Sequence, residues 1–220
     1  REVIDETRCA LAMVENQDRN VGRILDELQR NGILDDTIVF YFSDNGPNTM
    51  RFNGQMKGKK GTTDEGGVRV PGLIRWPRKI PAGVVVPQIA GAIDLLPTLL
   101  SLAEVERVGD KPLDGVDLSP LLTKTPSDTT ISATSVAWPA RTIFSTWAGK
   151  ISARTDQYRL DDKGLLFDMI GDPGQTKDRS DDLPEVASAL RQAVAKWDAE
   201  MKSESARKKV NTADTKDQQR

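Results

Sequence analysis

Leu11, Val14, Val21, Ile24, Leu25 and Leu28 recur at three- and four-residue steps, with a gap around Asp18. This spacing predicts an amphipathic helix, with Gly32 as its stop. After the turn residues Asp35-Asp36 comes an unbroken run, Thr37-Ile38-Val39-Phe40-Tyr41-Phe42, with no apolar–polar alternation. Such a run predicts a strand covered on both faces, as in a parallel α/β sheet. In open sheets of that kind ligands lie beyond the carboxyl ends of strands. This run ends directly in Ser43-Asp44-Asn45-Gly46-Pro47. Residues 48–67 are polar and rich in glycine and lysine, and predict a loop. The stretch Val70 to Pro77 predicts a short strand bounded by prolines. Asp94 to Ala103 predicts a helix entered at Asp94, with Pro97 tolerated in its first turn. Leu113 to Leu122 predicts a turn followed by an apolar anchor.

The pattern changes again beyond residue 122. Residues 123–135 are rich in Thr, Ser and Pro and predict a linker. Short apolar runs at 142–145, 150–153 and 165–168, separated by polar turns, predict a small antiparallel sheet. Leu183 to Met201 shows helical periodicity through Val186, Leu190, Val194 and Trp197, with Asp181-Asp182 near its start. The polar stretch 203–220 predicts a disordered tail. No internal repeat is present.

Composition narrows the chemistry. The 220 residues suffice for one large domain, or one domain with a small satellite. Net charge is −2, which gives no overall polybasic character for nucleic acid. No run of about 18 apolar residues predicts a membrane span, and the first 20 residues lack a secretory-signal pattern. The single cysteine, Cys9, excludes an internal disulfide and a cysteine metal cluster, and is expected to pack as a small apolar residue. There is no histidine. A serine–histidine triad, a His-ligated zinc and imidazole acid–base catalysis are therefore beyond this chain alone.

Asn45-Gly46 could form a two-residue hairpin turn, but that needs a returning strand directly afterwards. Pro47-Asn48-Thr49-Met50-Arg51 is a loop instead. From Arg51 to Lys79 there are eight Lys or Arg (residues 51, 57, 59, 60, 69, 75, 78 and 79) and two acids, Asp64 and Glu65, a local charge of +6. A charge run of this kind is a solvated surface or an anion site. For the second, lysine is a compact cation suited to a sulfate or phosphate oxygen. Gly61, Gly66 and Gly67 would let the backbone turn tightly beside it.

The ordered blocks SDNGP, GKKGTTDEGGVRVPGLIRWP, IDLLPTLLSLA and LDGVDLSPLL, with LLFDMIGDPGQTKD further on, resemble the carboxy-terminal half of a type I, formylglycine-dependent sulfatase of the arylsulfatase kind. The resemblance covers roughly residues 10–200. It implies an α/β, alkaline-phosphatase-like sulfatase fold in part, spanning 1–122, with a small α+β subdomain at 123–202 and the tail at 203–220. It implies that Asp44 and Asn45 bind a divalent cation, usually Ca²⁺, for which a carboxylate and an amide carbonyl are suitable hard ligands. It implies that Lys60 contacts the substrate sulfate and neutralises charge on the non-bridging oxygens as the S–O bond breaks, with the adjacent Lys59 as the alternative. Glu65, Gly66, Gly67, Val68, Arg69 and Pro71 are expected to shape the loop. Asp64 stands where the family often has tyrosine, which is expected to change local packing and charge.

The resemblance also marks what this chain lacks. The family's nucleophile is a formylglycine made from Cys or Ser in a Cys/Ser-x-Pro-x-Arg motif, and Cys9 is followed by Ala10-Leu11-Ala12-Met13. The family's amino-terminal Asp-Asp metal pair and its histidines are absent too. The expectation is a sulfuric ester hydrolase by family, acting on a sulfated small molecule or glycan, inactive as an isolated chain and partnered by an amino-terminal half. The relatives are usually exported or lysosomal. A non-catalytic remnant that binds sulfated glycans is the alternative. Phosphodiesterases and phosphomutases of the wider group use histidine ligands in this half, which zero histidines oppose. Nucleic-acid binding lacks the aromatic platforms it needs, since only Phe52 lies in the first stretch of the loop.

Overall fold

The computed structural model describes residues 2–123 and 138–217, with side chains described from Ile4 to Ser205. The expected linker lies almost wholly outside the described residues. The chain divides into two compact units: residues 1–42, 72–86 and 93–136 form one, and residues 43–71, 87–92 and 137–220 form the other.

In the first unit, helix α1 (Glu2–Arg30) covers the predicted periodic segment. It closes where expected: Gly32 takes a left-handed φ of 69°, and the Ile33 N–H donates to the Leu28 carbonyl at 3.1 Å. The apolar stripe of α1 is open, with Leu11, Val14 and Ile24 each more than half exposed. Cys9 is exposed as well, which corrects the expectation that it packs: it lies on a helix face that no described residue covers. Strand β1 (Val39–Phe42) forms within the predicted run. Its partner is β2 (Gly72–Arg75), antiparallel, in the register Val39↔Arg75 to Phe42↔Gly72. The parallel, doubly covered strand read from the apolar run is thus not what this chain forms. The returning segment after Pro71 pairs with β1 in a two-stranded sheet, and Tyr41, Phe42 and Leu73 stay exposed.

The core of this unit is Trp76, Ile80 and Leu102, with Ile38, Ile74 and Leu122 packed against it. Lys79 lies over the Trp76 ring at 4.8 Å and donates to the Leu102 carbonyl at 3.3 Å. Helix α3 (Leu95–Ala103) follows Asp94 as predicted, but Asp94 makes no side-chain cap to it. The fully buried Asp94 carboxylate instead accepts the Val116 N–H at 2.8 Å, and Thr98 Oγ1 accepts the Leu118 N–H at 2.9 Å. These two bonds satisfy donors that would otherwise be orphaned. They seat the chain that leads to the one-turn helix α4 (Ser119–Leu122), where Leu121 is the buried anchor.

In the second unit, β3 (Ile143–Trp147), β4 (Lys150–Arg154), β5 (Tyr158–Leu160) and β6 (Leu166–Asp168) form one antiparallel sheet in sequential order. The β3–β4 hairpin turns through Ala148 and Gly149, both at positive φ (49° and 79°), as the right-handed twist of a hairpin favours. Helix α5 (Pro184–Asp217) packs on the sheet through Ala187 and Leu190, against Ala153, Leu160 and Leu166. Phe144 stacks on Trp197 with centroids 5.2 Å apart. The α5 backbone is helical beyond Met201, into the stretch whose polarity predicts disorder.

Candidate functional site

The site is built on Ser43–Pro71, which belongs to the second unit. Immediately after β1 the chain turns through Asp44-Asn45-Gly46-Pro47. Two backbone hydrogen bonds tie this turn to the basic loop. The Gly46 N–H donates to the Gly67 carbonyl at 2.8 Å, and the Lys60 N–H donates to the Pro47 carbonyl at 2.9 Å. Glycine is required at the crossing. A Cβ at Gly46 would stand 1.9 Å from the Gly66 carbonyl oxygen. One at Gly66 would stand 2.6 Å from the Gly58 oxygen, and one at Gly67 2.3 Å from the Thr62 oxygen. Backbone thus lies directly on backbone at these three positions, with no room for a Cβ. Gly66 and Gly67 shape the loop, as the sequence suggested.

A buried ionic network holds the loop to the sheet. Glu65 opens the single turn α2 (Glu65–Val68) and is buried. Its Oε2 accepts from Arg159 Nη2 at 2.7 Å and from Arg154 Nε at 3.3 Å, and its Oε1 accepts from Arg69 Nη1 at 3.3 Å. Burial pushes the Glu65 carboxyl up, but Arg159, Arg154 and Arg69 outweigh it and hold the group below its ordinary value. Arg159 Nη1 donates to the Thr63 carbonyl at 2.7 Å and to Ser152 Oγ at 3.0 Å, and Ser152 Oγ donates to the same carbonyl at 2.8 Å. Gln175, also buried, accepts the Glu65 N–H at 3.0 Å and donates to Asp64 Oδ1 at 3.2 Å. Asp64 further faces Lys57 Nζ at 3.3 Å, and that ammonium reaches buried Asp161 at 3.4 Å above the Phe167 ring. The Asp64 carboxylate is therefore matched by the Lys57 ammonium.

Of the residues singled out in the sequence, Asp44 is exposed, Asn45 half-buried and Lys60 exposed. The structure brings the turn that carries Asp44 and Asn45 against the loop that carries Lys60, through the Lys60–Pro47 bond. Neither Lys59 nor Lys60 makes an ion pair among the described residues, unlike Lys57. Ser43 Oγ donates to the Asn45 carbonyl at 3.2 Å, which tightens the turn. A carboxylate and an amide oxygen suit a hard divalent cation, but such an ion takes six or more ligands. Among the described residues no group of three or more carboxylates or thiols could hold a metal ion. Asp44 and Asn45 would thus furnish part of a coordination shell. The sequence contains no Cys/Ser-x-Pro-x-Arg stretch for the formylglycine nucleophile. Sequence reasoning missed Asn53, Ser152, Arg159 and Gln175. Asn53 is buried and donates to the Met56 and Gly58 carbonyls at 2.7 and 3.2 Å, fixing the loop from inside.

The solved structures that this chain resembles define its class, the α/β alkaline-phosphatase-like fold of sulfatases, present here in part. The PsFucS1 sulfatase from Pseudoalteromonas sp. superposes with a TM-score of 0.63 at 22% identity, over 82% of this chain and 40% of that one. A structure solved in complex with its substrate D-glucosamine-2-N,6-O-disulfate superposes with a TM-score of 0.58 at 28% identity, over 81% of this chain and 37% of that one. Residues 3–105 match the sulfatase family model, and the chain resembles sulfatases over that stretch. It is 36% identical to arylsulfatase A of Bos taurus, over 80% of this chain and 40% of that protein. It is 41% identical to steryl-sulfatase of Mus musculus, over 50% of this chain and 19% of that protein. The chain spans less than half the length of these curated relatives. Among the described residues no helix is long and apolar enough to cross a membrane.

Proposed function

We propose that this chain is the carboxy-terminal portion of a sulfuric ester hydrolase and supplies the cation-side and sulfate-side contacts of its active site. The observation that carries the reading is the pair of backbone bonds, Gly46 to Gly67 and Lys60 to Pro47, that fixes the Asp-Asn turn against the lysine loop. Asp44 and Asn45 would hold part of the shell of a Ca²⁺-like ion, which when bound supplies electrophilic polarisation of a sulfuryl oxygen. The Lys60 ammonium binds the sulfate and offsets the negative charge that grows on its non-bridging oxygens. Lys59 adds a second positive charge at the same turn. The nucleophile, the remaining metal ligands and the proton-transfer groups must come from an amino-terminal partner segment, so the 220-residue chain alone binds but does not turn over. The substrate class is a sulfate ester of a small molecule or sugar, supported by the relatives' names and by the sugar disulfate bound in one structural neighbour.

The test is kinetic, on the full-length protein that carries this chain, with an aryl sulfate as substrate. Lys60→Ala is expected to lower kcat/KM by about 100-fold or more, as the loss of one positioned charge contact does. Asp44→Ala is expected to raise the Ca²⁺ concentration needed for activity. Unchanged rates in both variants overturn the assignment. A salt series comparing heparin with single-stranded DNA separates the sulfate reading from a general polyanion surface, for which the two affinities would be equal.

A further inference from the structure

We propose that Trp147 is the aromatic wall of the substrate site, receiving the ring that bears the sulfate ester; the inference rests on the sulfatase reading above. Trp147 ends β3 and is 59% exposed, whereas the other tryptophan of this unit with a described contact, Trp197, stacks on Phe144. A large indole left open to water forfeits burial that would stabilise the fold. It is open beside the lysine turn. The position a Cβ would take at Gly61, the residue after Lys60, is 3.6 Å from Trp147 Nε1. Gly61 has a φ of 83°, so the turn carries no side chain between the indole edge and the Lys60 backbone.

The placement is rigid. Trp147 pairs with Lys150 across the hairpin, and two residues further along β4 Ser152 donates to the Thr63 carbonyl at 2.8 Å. Arg154 of β4 and Arg159 of the adjacent β5 both bond Glu65 of the same loop. The hairpin that carries the ring platform is therefore bonded to the loop that carries the sulfate contact. An anionic group against Lys60 and a flat apolar ring against Trp147 together describe a cyclic sulfate ester, aryl or pyranose. The indole face takes the ring and its N–H offers a donor at the ring's edge.

The experiment uses the full-length protein, 4-nitrophenyl sulfate as ring-bearing substrate and inorganic sulfate as ring-less competitive inhibitor. Trp147→Ala is expected to raise KM for the aryl ester about 3- to 10-fold, with kcat within about twofold and the inhibition constant of sulfate unchanged. Trp147→Phe is expected to restore most of the KM. A sulfated monosaccharide assayed in parallel shows whether a pyranose uses the same wall. An unchanged KM for both ring substrates overturns the proposal. So does an equal rise in KM and in the sulfate constant, because the indole would then be shaping the loop rather than meeting the ring. Lys60→Ala serves as the separate control. If it leaves the sulfate constant and turnover unchanged, the sulfatase reading of the site fails whatever Trp147 does.

Discussion

A methyl group at Gly67 would stand 2.3 Å from one carbonyl oxygen and 2.7 Å from another, both of the lysine turn. Neither is the end of a flexible side chain, so the backbone itself must move. Gly67→Ala is expected to cost about 1–3 kcal/mol, read as a lower denaturant midpoint. The same glycines were legible in the sequence as loop-shaping residues, because closely spaced glycines in a basic loop are an unusual local pattern. Glu65 was legible only as part of that block. Its partners Arg159 and Arg154 lie 94 and 89 residues away, and no local pattern announces such a pairing. Arg159→Leu removes the shortest of the three guanidinium contacts to Glu65 and the buried donor to the Thr63 carbonyl, while Arg154 and Arg69 remain, so it is expected to destabilise by about 1–3 kcal/mol. The pH dependence follows from the direction of the Glu65 shift. Its proton affinity is lower in the folded chain than in the unfolded one, so it stabilises the fold above about pH 4.5. That contribution is withdrawn as acid protonates the carboxylate below this value. Glu65→Gln is expected to flatten the acid limb of a stability–pH curve measured by circular dichroism.

Among the elements, α5 packs on the β3–β6 sheet, and helix periodicity with short apolar runs revealed β3, β4, β6 and α5 as far as Met201, but neither β5 nor the rest of the helix. Tyr158–Leu160 is three residues long with a buried arginine at its centre, so it shows no strand pattern; Arg159 is tolerated because Glu65 lies against it. Asp94 misled in the other direction. An acid before an apolar helix reads as a cap, whereas its carboxylate bonds a backbone donor 22 residues on. Strand β1 was visible from its apolar run, but the direction of its partner was not, because such a run carries no information on what lies beside it. Leu190 is buried between α5 and the sheet. Leu190→Ala is expected to cost about 2–5 kcal/mol, lowering the thermal midpoint without changing the aryl ester KM.

For the molecule as a whole, the sequence suggested a break at the Thr/Ser/Pro-rich stretch, while the compact units are drawn by long-range bonds. Residues 43–71 join the carboxy-terminal sheet through Glu65, Thr63 and Lys57. The first unit keeps a two-stranded sheet with Phe42 and Leu73 about half exposed or more, and an open stripe along α1. A two-stranded sheet is marginal in water and its unpaired edges are templates for association. The 220-residue chain is therefore expected to self-associate with rising concentration in light scattering. Phe42→Lys with Leu73→Lys is expected to shift it toward monomer. A monomer at all concentrations before substitution would show that these surfaces are not sticky.

The tie between Gly46 and Gly67 also bears on chemical ageing. An asparagine followed by glycine is prone to deamidation, because the glycine nitrogen can attack the side-chain amide carbon, expelling ammonia and closing a succinimide that water then opens. Here that nitrogen is buried and its hydrogen is engaged by the Gly67 oxygen at 2.8 Å. Conversion of Asn45 to aspartate, with loss of a neutral oxygen donor, should thus be slow in the intact fold and accelerate once Gly67 is displaced. Peptide mass spectrometry of stored wild-type and Gly67→Ala protein would resolve the two rates.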